Sequence, residues 1–77
     1  MTPEQCKAAR AMTGMSQEKL AELSKVAVST IIPFEQRHRN PHRSTVAKLK
    51  AALEGCGVEF IDPNGGGPGV RLRDRSD

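Results

Sequence analysis

The chain has 77 residues, which is enough for one small domain, and its 12 Lys and Arg against 9 Asp and Glu give a net charge of +3. It has no apolar run near the ~20 residues of a membrane-spanning helix and no signal-peptide pattern, so we expect a cytoplasmic protein. Because the charge excess is mild, the placement of the cations matters more than their number.

The two cysteines, Cys6 and Cys56, are too few for the disulfide framework of a small secreted protein. Each stands among apolar residues, where a reduced thiol packs as a small hydrophobe. We therefore predict that both thiols are reduced and buried. A chain this short, without disulfides, often gains stability by forming an oligomer.

The first predicted helix begins at the second residue and ends at a glycine. Thr2 can cap it, Pro3 suits the first helical position, and Gln5 completes a capping box with Thr2. Gly14 supplies the stop. Apolar residues at helical spacing predict an inner face that consists of Cys6, Ala9 and Met12.

Two short helices follow. Ser16 begins the second one, and Ser24-Lys25 interrupts its pattern before Val26. The third covers residues 27–35, where a buried stripe is expected from Ile31 and Phe34, three residues apart. The predicted inner face of the second helix consists of Leu20, Ala21 and Leu23.

A polar segment, residues 36–43, separates the third helix from a fourth. Pro41 prevents a helix within this segment, and the fourth helix runs from about Arg43 to Glu54 and is ended by Gly55. Its inward-facing residues are predicted to be Val46, Leu49 and Leu53.

After Gly57 the period of the hydrophobic pattern changes from helical to two. Residues 58–61 and 70–73 alternate and are separated by a glycine-rich stretch, which predicts a β-hairpin. The prediction is a mainly α fold of four helices followed by a C-terminal β-hairpin. It divides the chain into a helical domain (residues 1–56), the hairpin (residues 57–73) and a frayed tail (residues 74–77).

The side chains of the second and third helices follow a recognisable pattern. It consists of residues 16–23 (SQEKLAEL), Val26, residues 29–31 (STI), residues 34–36 (FEQ) and Asn40-Pro41. Over roughly residues 4–54 the chain resembles the lambda-repressor/Cro family, also called the xenobiotic-response-element family. The resemblance implies that these two helices form a helix-turn-helix, whose second helix, the recognition helix, enters the major groove of DNA.

The resemblance also implies roles for individual residues. Those expected to face the bases are Val28, Ser29, Thr30, Ile32 and Pro33. Those expected to contact the DNA backbone are Gln17, Lys19, Lys25, Gln36, Arg37, Arg39, Arg43, Ser44 and Thr45. Gln17 is also expected to brace the recognition helix. Arg10 and Glu35 are expected to form a partly buried ion pair that joins the first helix to the end of the recognition helix.

The chain departs from the family pattern at three positions. Lys25 occupies a turn position that is usually glycine and has to accept a left-handed backbone. Ala27 replaces the usual serine cap of the recognition helix. Pro33 lies inside that helix and removes one hydrogen bond, so the helix is expected to be kinked or tightened there, or to end before it.

The expected base-reading surface is unusually apolar. Val28, Ile32 and Pro33 offer no hydrogen bonds, so they can read only thymine methyl groups or DNA shape. Specificity then depends on cations of the 36–43 segment or on shape. The alternative for Val28 and Ile32 is a surface that binds a partner protein.

The densest positive charge follows the third helix, at Arg37, His38, Arg39, His42 and Arg43. Beside a recognition helix this run is expected to bind phosphates, with a solvated loop as the alternative. A zinc site that joins the two histidines to a cysteine lacks any local Cys-x-x-Cys pair, so no metal is expected. No catalytic constellation and no cofactor-binding motif is present either.

The hairpin suggests a dimer. Two lone strands are marginally stable in water, and Ile61, Val70 and Leu72 need cover that a second copy can provide. The alternative is a hairpin folded onto its own domain. The resulting prediction is a homodimeric transcriptional regulator, a repressor or autoregulator of the kind found on mobile elements, that binds an inverted-repeat operator in double-stranded DNA. The alternatives are an antitoxin-like or antiactivator module and an RNA-binding or general nucleoid protein.

Overall fold

A computed structural model of the chain describes residues 1–73. Its elements are α1 (Pro3–Thr13), α2 (Gln17–Ser24), α3 (Val28–Glu35), α4 (Arg43–Gly55), β1 (Val58–Ile61) and β2 (Gly69–Leu72). The predicted fold class, a mainly helical four-helix domain with a C-terminal β-hairpin, is confirmed. The tail predicted at residues 74–77 lies outside the described residues.

The starts of the first two helices follow the local capping chemistry. The Thr2 hydroxyl accepts a hydrogen bond from the Gln5 N–H at 3.0 Å, and the Gln5 side chain accepts one from the Thr2 N–H at 2.8 Å. The Ser16 hydroxyl accepts from the Lys19 N–H at 2.9 Å at the start of α2. These bonds satisfy N–H groups that would otherwise lack partners in the first turn. Both helix starts therefore depend on residues within one turn.

The core lies where the helices and the hairpin meet. It consists of Cys6, Ala9, Leu20, Val26, Ile31, Phe34, Leu49, Leu53 and Val58. Three predicted core positions are wrong, because Met12 is 42% exposed, Leu23 is 43% exposed and Cys56 is exposed.

Each of these errors has a local reason. Met12 is one turn beyond the buried Ala9, at the C-terminal end of α1, where the core ends. At the end of α2 the buried residue is Ser24 and not Leu23. The Ser24 hydroxyl accepts a hydrogen bond from the Val26 N–H at 3.2 Å and thereby supports the turn. Cys56 is the C-cap of α4 and lies outside the helix.

The hairpin packs on its own domain. β1 and β2 are antiparallel, with Val58 opposite Leu72 and Phe60 opposite Val70. Val58 is fully buried, while Phe60, Val70 and Leu72 are half-buried against the core. Val70 and Leu72 are therefore partly covered within their own chain, because strand alternation turns them toward the core, with α1 packed against β2. Cover of their remaining surface by a second copy stays a prediction.

Gln5 joins the hairpin to the start of α1. Its side-chain N–H₂ donates to the carbonyl oxygens of Gly69 at 2.9 Å and Ile61 at 3.3 Å, which are the last paired residues before the glycine-rich loop. The same amide accepts the Thr2 N–H in the capping box. One buried glutamine therefore couples the first helical turn to the loop end of the hairpin.

Candidate nucleic-acid interface

α2 and α3 are joined by a three-residue turn, residues 25–27. Lys25 adopts the left-handed conformation expected of it, with φ 63°, and its N–H donates to the Ala21 carbonyl at 2.9 Å. Val26 is buried and anchors the turn to the core. Ala27 gives α3 no side-chain cap, as the sequence predicts. This arrangement is the helix-turn-helix inferred from the sequence.

The outer side of α3 is accessible along its length. Ile31, Phe34 and Glu35 are buried and mark the inner side. The residues expected to face bases lie on the remaining surface, where Ser29 is exposed and the others are half-buried, namely Val28, Thr30, Ile32 and Pro33. With 3.6 residues per turn, Ser29 and Pro33 lie about half a turn from the centre of the buried side, and Ile32 lies about a third of a turn from it. Ser29 and Pro33 form the centre of the outward face of the helix, and Ile32 lies at its edge.

Pro33 does not end α3, which continues through it to Glu35. The helix is tight at its start, since the N–H groups of Thr30 and Ile31 both donate to the Ala27 carbonyl, at 2.9 and 3.1 Å. Beyond the proline, the His38 N–H donates to the Pro33 carbonyl at 2.8 Å. Pro33 itself has no N–H to donate to the Ser29 carbonyl, so one helical bond is lost.

A buried network holds α1, α2 and α3 together at Glu35. The Arg10 guanidinium donates two hydrogen bonds of 2.7 Å to the Glu35 carboxylate, one to each oxygen. The Gln17 side-chain amide donates at 3.0 Å and the Cys6 thiol at 3.2 Å. Glu35 is only 2% exposed, so its charge relies on these four donors. The ion pair expected from the resemblance is thus present, with two further partners.

The network also sets the protonation of its members. Burial alone would raise the pKa of Glu35, but hydrogen bonds from Arg10, Gln17 and Cys6 outweigh it, so its pKa is lowered and the carboxylate stays ionised. Burial, together with the hydrogen bond to Glu35, raises the pKa of the Cys6 thiol to about 12. The thiol is therefore a hydrogen-bond donor at neutral pH.

Gln17, expected at the DNA backbone, is partly committed to this network. It is half-buried, and one side-chain N–H of its amide is used by Glu35. The contact fixes the first residue of α2 against the end of α3. The structure therefore gives Gln17 a bracing role and leaves any phosphate contact to its remaining groups.

Exposed cations follow α3. Arg37 and Arg39 lie in the loop, and Arg43 is the first residue of α4. Gln36 and the more distant Lys25 are exposed as well. Arg37 has a left-handed backbone, with φ 61°, and its guanidinium binds the Glu4 carboxylate through two hydrogen bonds of 2.6 Å. The hydrogen bond from Arg37 lowers the pKa of Glu4 to about 2. Glu4 was not predicted as a site residue, since its partner is 33 positions away and no local signal connects them.

The remaining predicted backbone contacts fall into two groups. Lys19 forms an exposed ion pair of 3.2 Å with Glu22. Within residues 1–73, no carboxylate forms an ion pair with Lys25, Arg39 or Arg43. Of the cations predicted to contact the DNA backbone, these three are therefore the ones that can bind a phosphate without first breaking an ion pair.

The start of α4 differs from the expectation. The Ser44 N–H donates to His42 Nδ1 at 3.1 Å, and the Thr45 N–H donates to the His42 carbonyl at 2.9 Å. Ser44 and Thr45 are expected at the DNA backbone, and both of their backbone N–H groups are used within the chain, which leaves that contact to their side chains. His42 caps the helix, a role for which histidine is an uncommon residue. An open groove of about 660 Å³ beside this helix is lined by Met1, Asn40, Pro41, His42, Arg43, Val46, Ala47 and Lys50.

A metal site and a membrane-spanning helix are two further features that the geometry can reveal. No group of three or more His, Cys, Asp or Glu that could hold a metal ion occurs in the part of the chain that the structure describes. Over the same residues, no helix is both long enough and apolar enough to cross a membrane.

Comparison with known proteins identifies the family. A family model described as helix-turn-helix matches residues 7–61, which include α2, the turn, α3 and α4. A comparison with curated proteins finds no match. Because the matched segment covers more than half of the chain and contains the helix-turn-helix, the protein belongs to the lambda-repressor/Cro-type helix-turn-helix family of DNA-binding transcriptional regulators.

Proposed function

We propose that the protein is a homodimeric repressor or autoregulator that binds an inverted-repeat operator in double-stranded DNA. The observation that carries the proposal is the accessible outer face of α3 beside the exposed cations of the following loop. In this arrangement α3 reads base edges in the major groove while Arg39, Arg43 and Lys25 bind phosphates. A regulator of this kind acts at the chromosome, which implies a cytoplasmic, nucleoid location.

The dimer is proposed from the hairpin. Each strand of a two-stranded sheet has one unpaired edge, and an edge of this kind can pair with a second copy. Ile61 is 37% exposed on the side of the sheet opposite the core. The exposed parts of Val70 and Leu72 lie at the same sheet. Two copies joined there are expected to place their recognition helices about one turn of DNA apart, about 34 Å.

Sequencing of DNA fragments bound by the protein tests the regulator. We expect a palindromic motif with half-sites about 10 base pairs apart. Enrichment without a sequence motif would favour a general nucleoid protein instead.

The dimer should be disrupted by Ile61→Lys. We expect the wild-type chain to run at twice its 8.3 kDa mass in size-exclusion chromatography with light scattering at micromolar concentration, and the variant at its single mass. Leu23→Lys is the matched control, because Leu23 is similarly exposed, at 43%, but lies on α2. Removing the whole hairpin is a weaker test, because Val58 is part of the core. A dimeric, folded Ile61→Lys variant would contradict the proposed interface.

Arg39 and Arg37 should differ in their contribution to DNA binding. Arg39→Ala is expected to weaken binding to all sequences and to reduce the slope of log affinity against log salt by about one. Arg37→Ala should have a smaller effect, because a phosphate has to displace Glu4 from its guanidinium. Glu4→Gln releases Arg37 and should strengthen binding and steepen the slope.

Fluorescence anisotropy titrations at several salt concentrations measure these changes. Lys48→Ala on α4 is the control, because it removes the same charge from an exposed position outside the predicted DNA contacts and the proposed dimer interface. An equal loss for Lys48→Ala would mean that net charge, and not contact, controls affinity. A change in the preferred sequence on Arg39→Ala would mean that Arg39 reads bases.

A further inference from the structure

The outward face of α3 lacks the side chains that recognise bases by paired hydrogen bonds. Such recognition uses Arg, Lys, Asn or Gln, which bind two groups of one guanine or adenine. None of these occurs from Val28 to Glu35. The face presents aliphatic carbon from Ile32 and Pro33 and the hydroxyl group of Ser29, and the accessible parts of Val28 and Thr30 lie beside it in the first turn. Gln36, the nearest amide, is at the C-terminal end, whereas recognition helices contact bases with their N-terminal residues.

An aliphatic side chain can make an apolar contact with one group on the base edges of the major groove. That group is the methyl group on C5 of a pyrimidine, which thymine carries and cytosine lacks. The side chains on this face are short, and Val28, Thr30 and Ile32 are β-branched and therefore stiff at χ1. Short, stiff side chains bring the helix close to the bases and present a fixed apolar surface.

The hydroxyl groups on the same face do not separate thymine from cytosine. A Ser or Thr hydroxyl rotates to donate or accept, so it can donate to O4 of thymine or accept from the N4 amino group of cytosine. On this surface the methyl group is therefore the feature that discriminates, and the exocyclic group at C4 is tolerated.

We infer that α3 recognises pyrimidines by their C5 methyl group, so that 5-methylcytosine substitutes for thymine at the contacted positions and operator binding responds to cytosine methylation. The inference rests on the proposed function, because it concerns the bases that the same recognition helix reads.

The test begins with selection of a duplex from a randomised library of double-stranded DNA. At each thymine of the selected duplex, four versions are compared with the wild-type protein: thymine, uracil, cytosine and 5-methylcytosine. Thymine and uracil both pair with adenine and differ only in the methyl group, while 5-methylcytosine and cytosine both pair with guanine and differ in the same way. The four versions therefore separate the methyl group from the base pair.

We expect at least one position in each half-site where removing the methyl group weakens binding by about four-fold, the equivalent of one buried carbon. At that position 5-methylcytosine should bind tighter than cytosine by a similar factor. Equal binding of thymine and uracil at every position, together with equal binding of cytosine and 5-methylcytosine, would overturn the inference. Failure to select any duplex would instead overturn the proposed function, so the two failures are distinguishable.

Variants of α3 test whether this helix causes the difference in affinity between the thymine and uracil duplexes. Ile32→Thr replaces an ethyl group by a hydroxyl and Val28→Thr replaces a methyl group by a hydroxyl, both at half-buried positions. At least one of the two should abolish the difference between thymine and uracil. Met12→Thr, at an exposed position on α1 outside both the proposed DNA contacts and the proposed dimer interface, should retain it. If the difference persists in both α3 variants, the methyl group is read elsewhere and the inference is wrong.

Discussion

Arg10→Met is expected to destabilise the protein by about 3–5 kcal/mol, because it leaves the Glu35 carboxylate buried without its cationic partner. Methionine keeps much of the aliphatic volume of arginine, so the loss reports the charge and its hydrogen bonds. A domain of this size has a total stability of about 4–11 kcal/mol, so the variant should be largely unfolded at elevated temperature. Urea denaturation followed by circular dichroism measures the change.

Two further variants control this experiment. Glu59→Gln breaks an exposed ion pair and should change stability by less than about 1 kcal/mol. Arg10→Met combined with Glu35→Leu removes both charges and should recover part of the loss. If Arg10→Met behaves like the exposed pair, the network does not carry the stability assigned to it.

The same network predicts a dependence of stability on pH. The folded pKa of Glu35 is lower than its ordinary value of 4.5, so its contribution is fully present above that value and is lost as pH falls through the folded pKa. Stability should therefore decline in the wild type as pH falls below about 4.5. Glu4, whose folded pKa is about 2, also loses its contribution to stability as pH falls. The experiment is therefore done in a Glu4→Gln background. In that background, Glu35→Gln should flatten the remaining decline of stability with pH.

Pro33→Ala is expected to stabilise the protein by about 2 kcal/mol. A proline within a helix costs about 3 kcal/mol, and the greater freedom of alanine in the unfolded chain offsets about 0.4–1 kcal/mol of the gain. The structure supports this expectation because α3 continues through Pro33 and its Ser29 carbonyl receives no N–H from that residue. Thermal denaturation with and without operator DNA measures stability and binding together.

We expect this variant to bind operator DNA less tightly although it melts at a higher temperature, because the proline ring forms part of the outward apolar face. Pro41→Ala is the control, since Pro41 lies outside any helix and its loss should slightly destabilise the protein. Unchanged stability and unchanged affinity in Pro33→Ala would show that the helix is unstrained there and that the ring does not contact DNA.

Much of the site was predictable because the family pattern depends on closely spaced residues. The left-handed turn at Lys25 and the lack of a side-chain cap at Ala27 each follow from a single position, and the structure has both features. The pairing of Arg10 with Glu35 was inferred from the resemblance, since no physical rule connects residues 25 positions apart. That Gln17 braces the recognition helix is also implied by the resemblance, whereas its bond to Glu35 and the role of Cys6 as a further donor required the positions of three helices.

Predictions of burial were less reliable than predictions of helices. Met12, Leu23 and Cys56 have apolar or weakly polar side chains, and their spacing predicts an inner face, but all three are exposed. Periodicity identifies which side of a helix is apolar, whereas the ends of the neighbouring elements decide how far along that side the core extends. The hairpin shows the same effect in reverse, because the core, with α1 packed against β2, partly covers Val70 and Leu72, a contact that their spacing in the sequence does not reveal.

The sequence by itself determined the helices, their caps and the turn chemistry, because each depends on residues within about one turn of one another. The capping box of Thr2 and Gln5, the stop at Gly14 and the change of period after Gly57 are of this kind. Only the tertiary structure decided the contacts between residues far apart in the chain: Glu4 with Arg37, and Gln5 with the loop end of the hairpin. Such pairs leave no trace in local spacing, because the packing of the helices and the hairpin is what brings them within hydrogen-bond distance.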